Sequence, residues 1–347
     1  MEFKEFSDKL EQNMKVALED GPMQAKVKVC PIEKMQGESY TAITITPKDG
    51  NMGMNLNVDA LYKLMEEGAS YQSVVSRALS QATSYLEDVH SFDVNGITDY
   101  EKSQSKLFVE VVGAERNADM LSKVPHKQIE DMAMIYRIQV EHKEDGLASI
   151  LVTDELMKTM GVSAEQLHED AMKNSVAMRP AKVQKMAEII ADMTDMPIEM
   201  VESSAPPIYV ISNEEKMKGA ASIFYPDLMD TLGKQIGSDF YVLPSSLHEV
   251  LVLPDNGDMT AEELKEMVSS INGDVVDPTD VLTDQVYHYD KQERLFEIGE
   301  KFEGRQAEKE AAKNSRFSVL KDLKEKQKDI VDIPKAVGAR AANSMEL

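Results

Sequence analysis

Short runs, some alternating apolar and polar and some apolar throughout, lie too close together along this chain to be parallel neighbours. "AKVKVCPIEKM" and "SYTAITITP" are separated only by Gln36, Gly37 and Glu38, and "DFYVLP" and "EVLVLPD" only by Ser245 to His248. A parallel pair needs a crossover of about a dozen residues, whereas a hairpin needs a few. Helical spacings fill the chain between these pairs. The expected class is therefore α+β, with mixed and mostly antiparallel sheets rather than one doubly wound parallel sheet.

At 347 residues the chain is longer than a single core usually supports, so it should divide. Residues 1–90 read as a small unit. Phe3, Phe6, Leu10, Ala17 and Leu18 keep helical spacing up to the stop at Asp20-Gly21-Pro22. The first hairpin follows, then a strand "MGMNLNV" beyond a turn at Gly50 and Asn51, then helices over "VDALYKLMEEG" and "YQSVVSRALSQATSYLEDV". Residues 91–300 form the main α+β part. "KLFVEVVGA" and "ASILVTD" read as strands there, "ERNADMLSKV", "ELMKTMG" and "SAEQLHEDAMKNS" as helices, and "IYVIS" and "AASIFYP" as further short apolar runs. "TAEELKEMVSSING" is a helix opened by a capping box, Thr260 with Glu263 three residues on.

Three stretches share a pattern: "NVDALYKLMEEGAS", "VTDELMKTMGVS" and "YPDLMDTLGKQIGS". Each runs from a strand end through Asp59, Asp154 or Asp227 into a short helix closed by Gly and Ser. Asp at such a junction reads as an N-cap and Gly as a left-handed exit. A reused strand–cap–helix unit and shared capping chemistry both account for them.

Charge is unevenly placed. The formal net charge is −24. Residues 304–347 hold ten Lys/Arg against seven Asp/Glu, leaving −27 on the preceding body. An acidic body repels phosphate backbones, so no direct nucleic-acid binding by it is expected. The stretch 301–347 reads as a charged, partly helical or disordered tail. Phe317, Leu320 and Leu323 give it one sticky stripe, and Pro334 ends it. A solvated tail and a helix that docks on a partner are the two readings.

Cys30 is the only cysteine, which excludes an intrachain disulfide and a cysteine-built metal cluster. Glu2, Glu5, Asp8 and Glu11 interrupt any signal-like core, and no apolar run approaches a membrane span. The expectation is a cytoplasmic protein with no membrane association. His90, His126, His142, His168, His248 and His288 are scattered, so no metal face is expected. No phosphate-binding or dinucleotide glycine motif occurs, and no cofactor is expected. "MAEIIADMTDMPIEM" holds four of 23 methionines, read first as core filler and second as an adaptable partner groove. "YHYD" alternates so that Tyr287 and Tyr289 share one face and His288 and Asp290 the other.

The densest polar constellation is "GSDFYVLPSSLHEVLVLPD". Ser245 or Ser246 with His248 and a remote Asp239 would supply the residue types of a hydrolase. Residues 246 and 248 of an extended strand, however, lie roughly 6.6 Å apart, and no G-x-S-x-G elbow surrounds them. A hairpin bent at Pro244 and Ser245 accounts for the same residues.

"NGITDYEKSQSKLFVEVVGAERNADMLSKVPHKQIEDMAMIYRI", "ASILVTDELMKTMGVSAEQLHEDAMKNS", "GAASIFYPDLMDTLGKQIGSDFYVLPSSLHEVLVLPD" and "DQVYHYDKQERLF" together resemble the bacterial domain-of-unknown-function family 5688, over nearly all of residues 1–297. The resemblance implies a protein of gut Firmicutes and of their mobile elements or phages. It brings no established activity and no catalytic residues. Its best-matching block marks Pro244, Ser245, Ser246, His248 and Glu249 as a candidate binding surface. The leading expectation is a cytosolic accessory or interaction protein with an unknown protein partner. An acidic DNA mimic that blocks a DNA-binding enzyme, and the Ser–His hydrolase, are the alternatives.

Overall fold

A computed structural model describes residues 1–33, 39–48, 50, 53–88, 94–143, 146–203, 207–244 and 246–331. The turn at residues 36–38, Asn51 and Ser245 lie outside the described residues. Helix and antiparallel strand share the chain in three sheets, as an α+β class requires.

The first sheet joins β1 (Lys26–Glu33), β2 (Ser39–Thr46) and β3 (Met54–Asn57), all antiparallel. Its core is completed by α1 (Phe3–Met14), α2 (Val58–Glu66) and α3 (Tyr71–Asp88). Phe6, Leu10 and Met14 of α1 pack with Ile43 and Ile45 of β2 and with Val74, Ala78 and Ala82 of α3. The spacing of Phe6, Leu10 and Met14 is one helical face, and that of Ile43 and Ile45 one strand face.

Two short helices, α4 (Val94–Thr98) and α5 (Tyr100–Ser103), lead into the second sheet. It holds β4 (Leu107–Gly113), then the one-turn α6 (Ala118–Leu121), β5 (His126–Ile129), β6 (Met132–Lys143) and β7 (Gly146–Leu151). Helices α7 (Asp154–Met160) and α8 (Ala164–Met178) follow. The third sheet takes β8 (Ala181–Lys185), β9 (Tyr209–Asn213), β10 (Phe240–Leu243), β11 (Val250–Pro254), β12 (Tyr287–Asp290) and β13 (Leu295–Ile298), in the order β13-β12-β10-β11-β9-β8. Between its strands lie α9 (Met186–Thr194), α10 (Ile198–Glu202), α11 (Leu228–Ile236) and α12 (Ala261–Asp274), and α13 (Gly299–Val331) follows the last strand.

The second and third sheets share one core. Leu107, Val109 and Val111 of β4 and Met134, Tyr136 and Ile138 of β6 belong to it, with Phe240, Val242, Val250, Val252, Tyr287 and Tyr289 of the third sheet. Asp131, in the turn before β6, ties the two sheets together, accepting from Thr283 Oγ1 at 2.6 Å and from the Tyr287 hydroxyl. The alternation of "YHYD" therefore holds: both tyrosines face the shared core, and His288 faces the other way, stacked on Phe302.

Several local expectations change. "AASIFYP" is a tight 3-10 segment over Gly219–Phe224, and "ERNADMLSKV" keeps only the single turn of α6. The three Asp junctions are not alike. Asn57 and Thr153, each just ahead of the expected Asp, cap α2 and α7 by accepting from Ala60 and Leu156 N–H groups. Asp227 sits at φ +60° with no capping bond, and its carboxylate meets Arg294. Asn and Thr side chains reach the orphan N–H groups from the extended residue before the helix; an Asp already inside the first turn does not. Gly161 and Gly237 do take the left-handed exits. The box at Thr260 and Glu263 forms in both directions.

His168 of α8 is half buried between Tyr136 and Lys127. An ammonium can only donate, so Nε2 accepts from Lys127, and Nδ1–H donates to the Tyr136 oxygen. Desolvation and the Lys127 charge lower the His168 pKa. The unfolded chain thus binds a proton here that the folded chain refuses, and this site destabilises the fold as pH falls below about 6.5. A histidine NMR titration should place His168 below the free imidazole value; a midpoint at or above that value would refute the arrangement.

Candidate functional site: a groove on the outer face of the third sheet

Strands β10 and β11 are apolar on both faces. Phe240, Val242, Val250 and Val252 point to the shared core, whereas Tyr241, Leu243, Leu251 and Leu253 point outward. Register makes the outward set contiguous, with Tyr241 opposite Leu253 and Leu243 opposite Leu251. A sheet face this apolar needs a cover. Leu264 and Val268 of α12 cover part of it, packing with Tyr241, Leu243 and Val286.

The rest is a groove with a cavity of about 500 Å3. Its floor is Tyr241, Leu243, Leu251 and Leu253; one wall is α12 with Met267 and Ile271, and the other is Met186, Pro207 and Ile208. A smaller hollow of about 120 Å3 adjoins it, sharing Met186 and Glu249 and bounded by Lys182, Ile189, Val210 and Lys216. Three carboxylates line the larger space: Glu249 toward the junction, and Asp255 and Asp258 in the loop after β11.

Of the methionine-rich segment, Met186 lines this groove and the other three methionines lie at the surface instead of in a core. No residue of α9 is buried, and Met193, Met196 and Met200 are exposed, Met193 by 81%. The reading of these methionines as core filler is thus corrected. On a short two-helix arm the apolar residues have no second layer to enter, so they remain at the surface. Met186 alone of the four lines the groove.

Asp255 accepts from His288 Nε2 at 3.1 Å and from the Gly257 N–H at 3.0 Å. The histidine bond, joined by the backbone bond, outweighs partial burial and lowers the carboxyl pKa. Asp255 is therefore an anion at neutral pH, fixed from beneath by a wholly buried ring.

The "PSSLHE" block forms the connection between β10 and β11, and the hairpin is real, with Leu243 paired to Leu251. Ser246 and Glu249 line the groove. Ser246 Oγ accepts from the N–H groups of His248 at 3.1 Å and Glu249 at 3.3 Å, a side-chain turn that fixes the bend. His248 turns elsewhere: its Nδ1 accepts from the Lys218 N–H at 3.3 Å and its Nε2 lies 3.2 Å from Asp280. Among the described residues no hydrogen bond joins Ser246 Oγ to that ring. Asp239 sits at the far end of β10, accepting from the Lys291 N–H at 3.1 Å. The structure thus brings Ser246 and Glu249 to one cavity, pairs His248 with Asp280, and leaves Asp239 apart.

The main chain here is pinned. The His248 carbonyl accepts from Ser212 Oγ at 2.7 Å and from the Gly219 N–H at 3.1 Å. A Cβ on Gly219 would stand 2.7 Å from that carbonyl oxygen, so only glycine allows the approach. Sequence reading did not reach Asp280 or Ile208 as site residues, and it did not place Met186 against this hairpin; all three come from distant segments. The signal at hand was "EVLVLP", a strand with no polar face.

Residues 3–291 match one family model. The chain belongs to the family of unknown function DUF5688. The match takes in every groove-lining residue and stops after β12, so α13 lies beyond the DUF5688 region. No curated protein and no solved structure matches the chain. Among the described residues, no helix is long and apolar enough to cross a membrane.

Proposed function

We propose that this DUF5688 chain is an interaction protein without catalytic activity, and that the groove beside α12 receives an amphipathic helix with basic flanks. The carrying observation is an apolar sheet face, edged by flexible methionines, whose lining holds Glu249, Asp255 and Asp258. Helix-in-groove recognition uses this combination: apolar anchors enter the groove while charges at the edges set orientation and partner choice. Ser246 and Glu249, two of the five residues of the candidate surface, supply one rim. In a hydrolase reading Ser246 would need a base, and its oxygen is engaged by two backbone N–H groups.

Met267 and Ile271 are exposed by 45% and 38%, so charge is tolerated there by the fold. Titration calorimetry with a Leu/Lys amphipathic 18-residue peptide should show saturable binding to the wild-type chain. Met267→Glu with Ile271→Glu should weaken it by at least about tenfold, the effect of losing one or two interface anchors. Rising salt should weaken it further, since the flanking charges are solvent-screened. Unchanged affinity in the double variant would place the site elsewhere.

A further inference from the structure

We propose that the occupant of this groove is the distal part of α13 from a second copy of the chain, residues 316–331, exchanged reciprocally between two copies. The inference rests on the groove reading above and names its partner.

Three observations lead to it. First, α13 is anchored at its base and free beyond it. Phe302 stacks on His288, Glu303 accepts from the Ala261 N–H at 2.7 Å, and Arg305 joins Glu297 at 2.6 Å and also contacts Asp290 and Glu293. From Glu310 to Arg316 every residue is exposed, so the helix has left the body by then. Second, α13 continues unbroken to Val331. Its 33 residues span about 50 Å at 1.5 Å per residue, and a continuous helix cannot fold back onto the groove of its own chain. A copy related by a twofold axis has no such restriction, and exchange of an identical element is a short route to a dimer.

Third, the chemistry is complementary. In "RFSVLKDLKEKQKDIV", Phe317, Val319, Leu320, Leu323 and Ile330 fall on one side of a helical projection. The stretch 316–331 carries five Lys/Arg against three Asp/Glu, opposite in sign to the groove's own acids, Glu249, Asp255 and Asp258. The base of the helix also touches the groove's lining indirectly, because His288 bonds Asp255 with one ring nitrogen and stacks on Phe302.

Light scattering on the full chain at about 100 μM should give a dimer, well above an expected Kd of ~1 μM for such a contact. A chain ending at residue 313, the chain with Met267→Glu and Ile271→Glu, and the chain with Leu320→Glu and Leu323→Glu should each be monomeric with unchanged circular dichroism. Mixing the last two should restore a dimer, since one intact groove then meets one intact tail. A monomeric full chain, a dimer that survives truncation, or failure of the mixture to associate overturns the proposal. Labelled peptide 314–331 and a Leu/Lys peptide, each titrated onto the chain ending at 313, separate the two ideas. Binding of the Leu/Lys peptide alone removes the second copy but keeps the groove; binding of neither removes both.

Discussion

Phe240→Ala should lower the free energy of unfolding by about 3–5 kcal/mol, the usual cost of emptying a fully buried aromatic site. Phe240 has no exposed surface and sits on β10, between β11 and β12. Its ring stacks on Tyr289 at 5.1 Å between centroids, and its neighbours Val242, Val252 and Ile211 belong to the core that the second and third sheets share. The strands on both sides are hydrogen-bonded to β10, so they cannot close around the hole, and the cavity term is kept in full. Urea unfolding followed by circular dichroism measures it. A loss under about 1 kcal/mol would mean that the two sheets do not share a core. Phe240→Leu, which keeps most of the volume, should cost roughly a third as much.

Glu215→Gln should cost about 3 kcal/mol, and more than removing its partner. Arg179, only 4% exposed, donates from Nη2 to Glu215 Oε2 at 3.0 Å and to the Met217 carbonyl at 2.9 Å, with its guanidinium 5.0 Å from the centre of the Phe108 ring. It therefore pins the loop after β9 to β4. Neutralising Glu215 strands a buried cation, for which losses of about 3–5 kcal/mol are typical, with partial exposure of the carboxylate favouring the low end. The double variant Arg179→Met with Glu215→Gln removes the cation as well and lays an apolar stem against Phe108. It should recover at least half of the loss. A double-mutant cycle by thermal or urea unfolding reads the coupling directly. If Glu215→Gln lies within about 0.5 kcal/mol of wild type, solvent already screens the pair.

Legibility from sequence followed local physics. The two hairpins were readable because short strand-like apolar or alternating runs with a short connection leave few other arrangements, and α12 because Thr260 and Glu263 satisfy each other's backbone groups without help from elsewhere. β8 was not readable. "AKVQK" is partly exposed throughout, and it is a strand because its backbone pairs with β9, which no pattern in the five residues records. The length of α13 was missed for a related reason. Its apolar residues are sparse, and its first turns are held by ion pairs to β12, β13 and their connecting turn.

For the site, sequence marked the turn block from Pro244 to Glu249 as a candidate surface, and two of its residues, Ser246 and Glu249, line the groove. The residues that pair with it, Asp280 for His248 and Met186 and Ile208 across the cavity, lie tens of residues away in sequence. Which carboxylate meets a given histidine depends on chain crossing, and alternation or spacing says nothing of it.

The sequence by itself determined the class, α+β with antiparallel pairs, and membership of DUF5688, because both rest on patterns repeated over many adjacent residues. It also determined that β10 and β11 would be apolar on both faces. Only the tertiary structure decided that one of those faces is left half covered, with α12 on one side, the start of α9 on the other, and a 500 Å3 groove between them. The reason is physical: how much of an apolar face is buried depends on where separate helices come to rest, and that is fixed by packing between segments far apart in the chain.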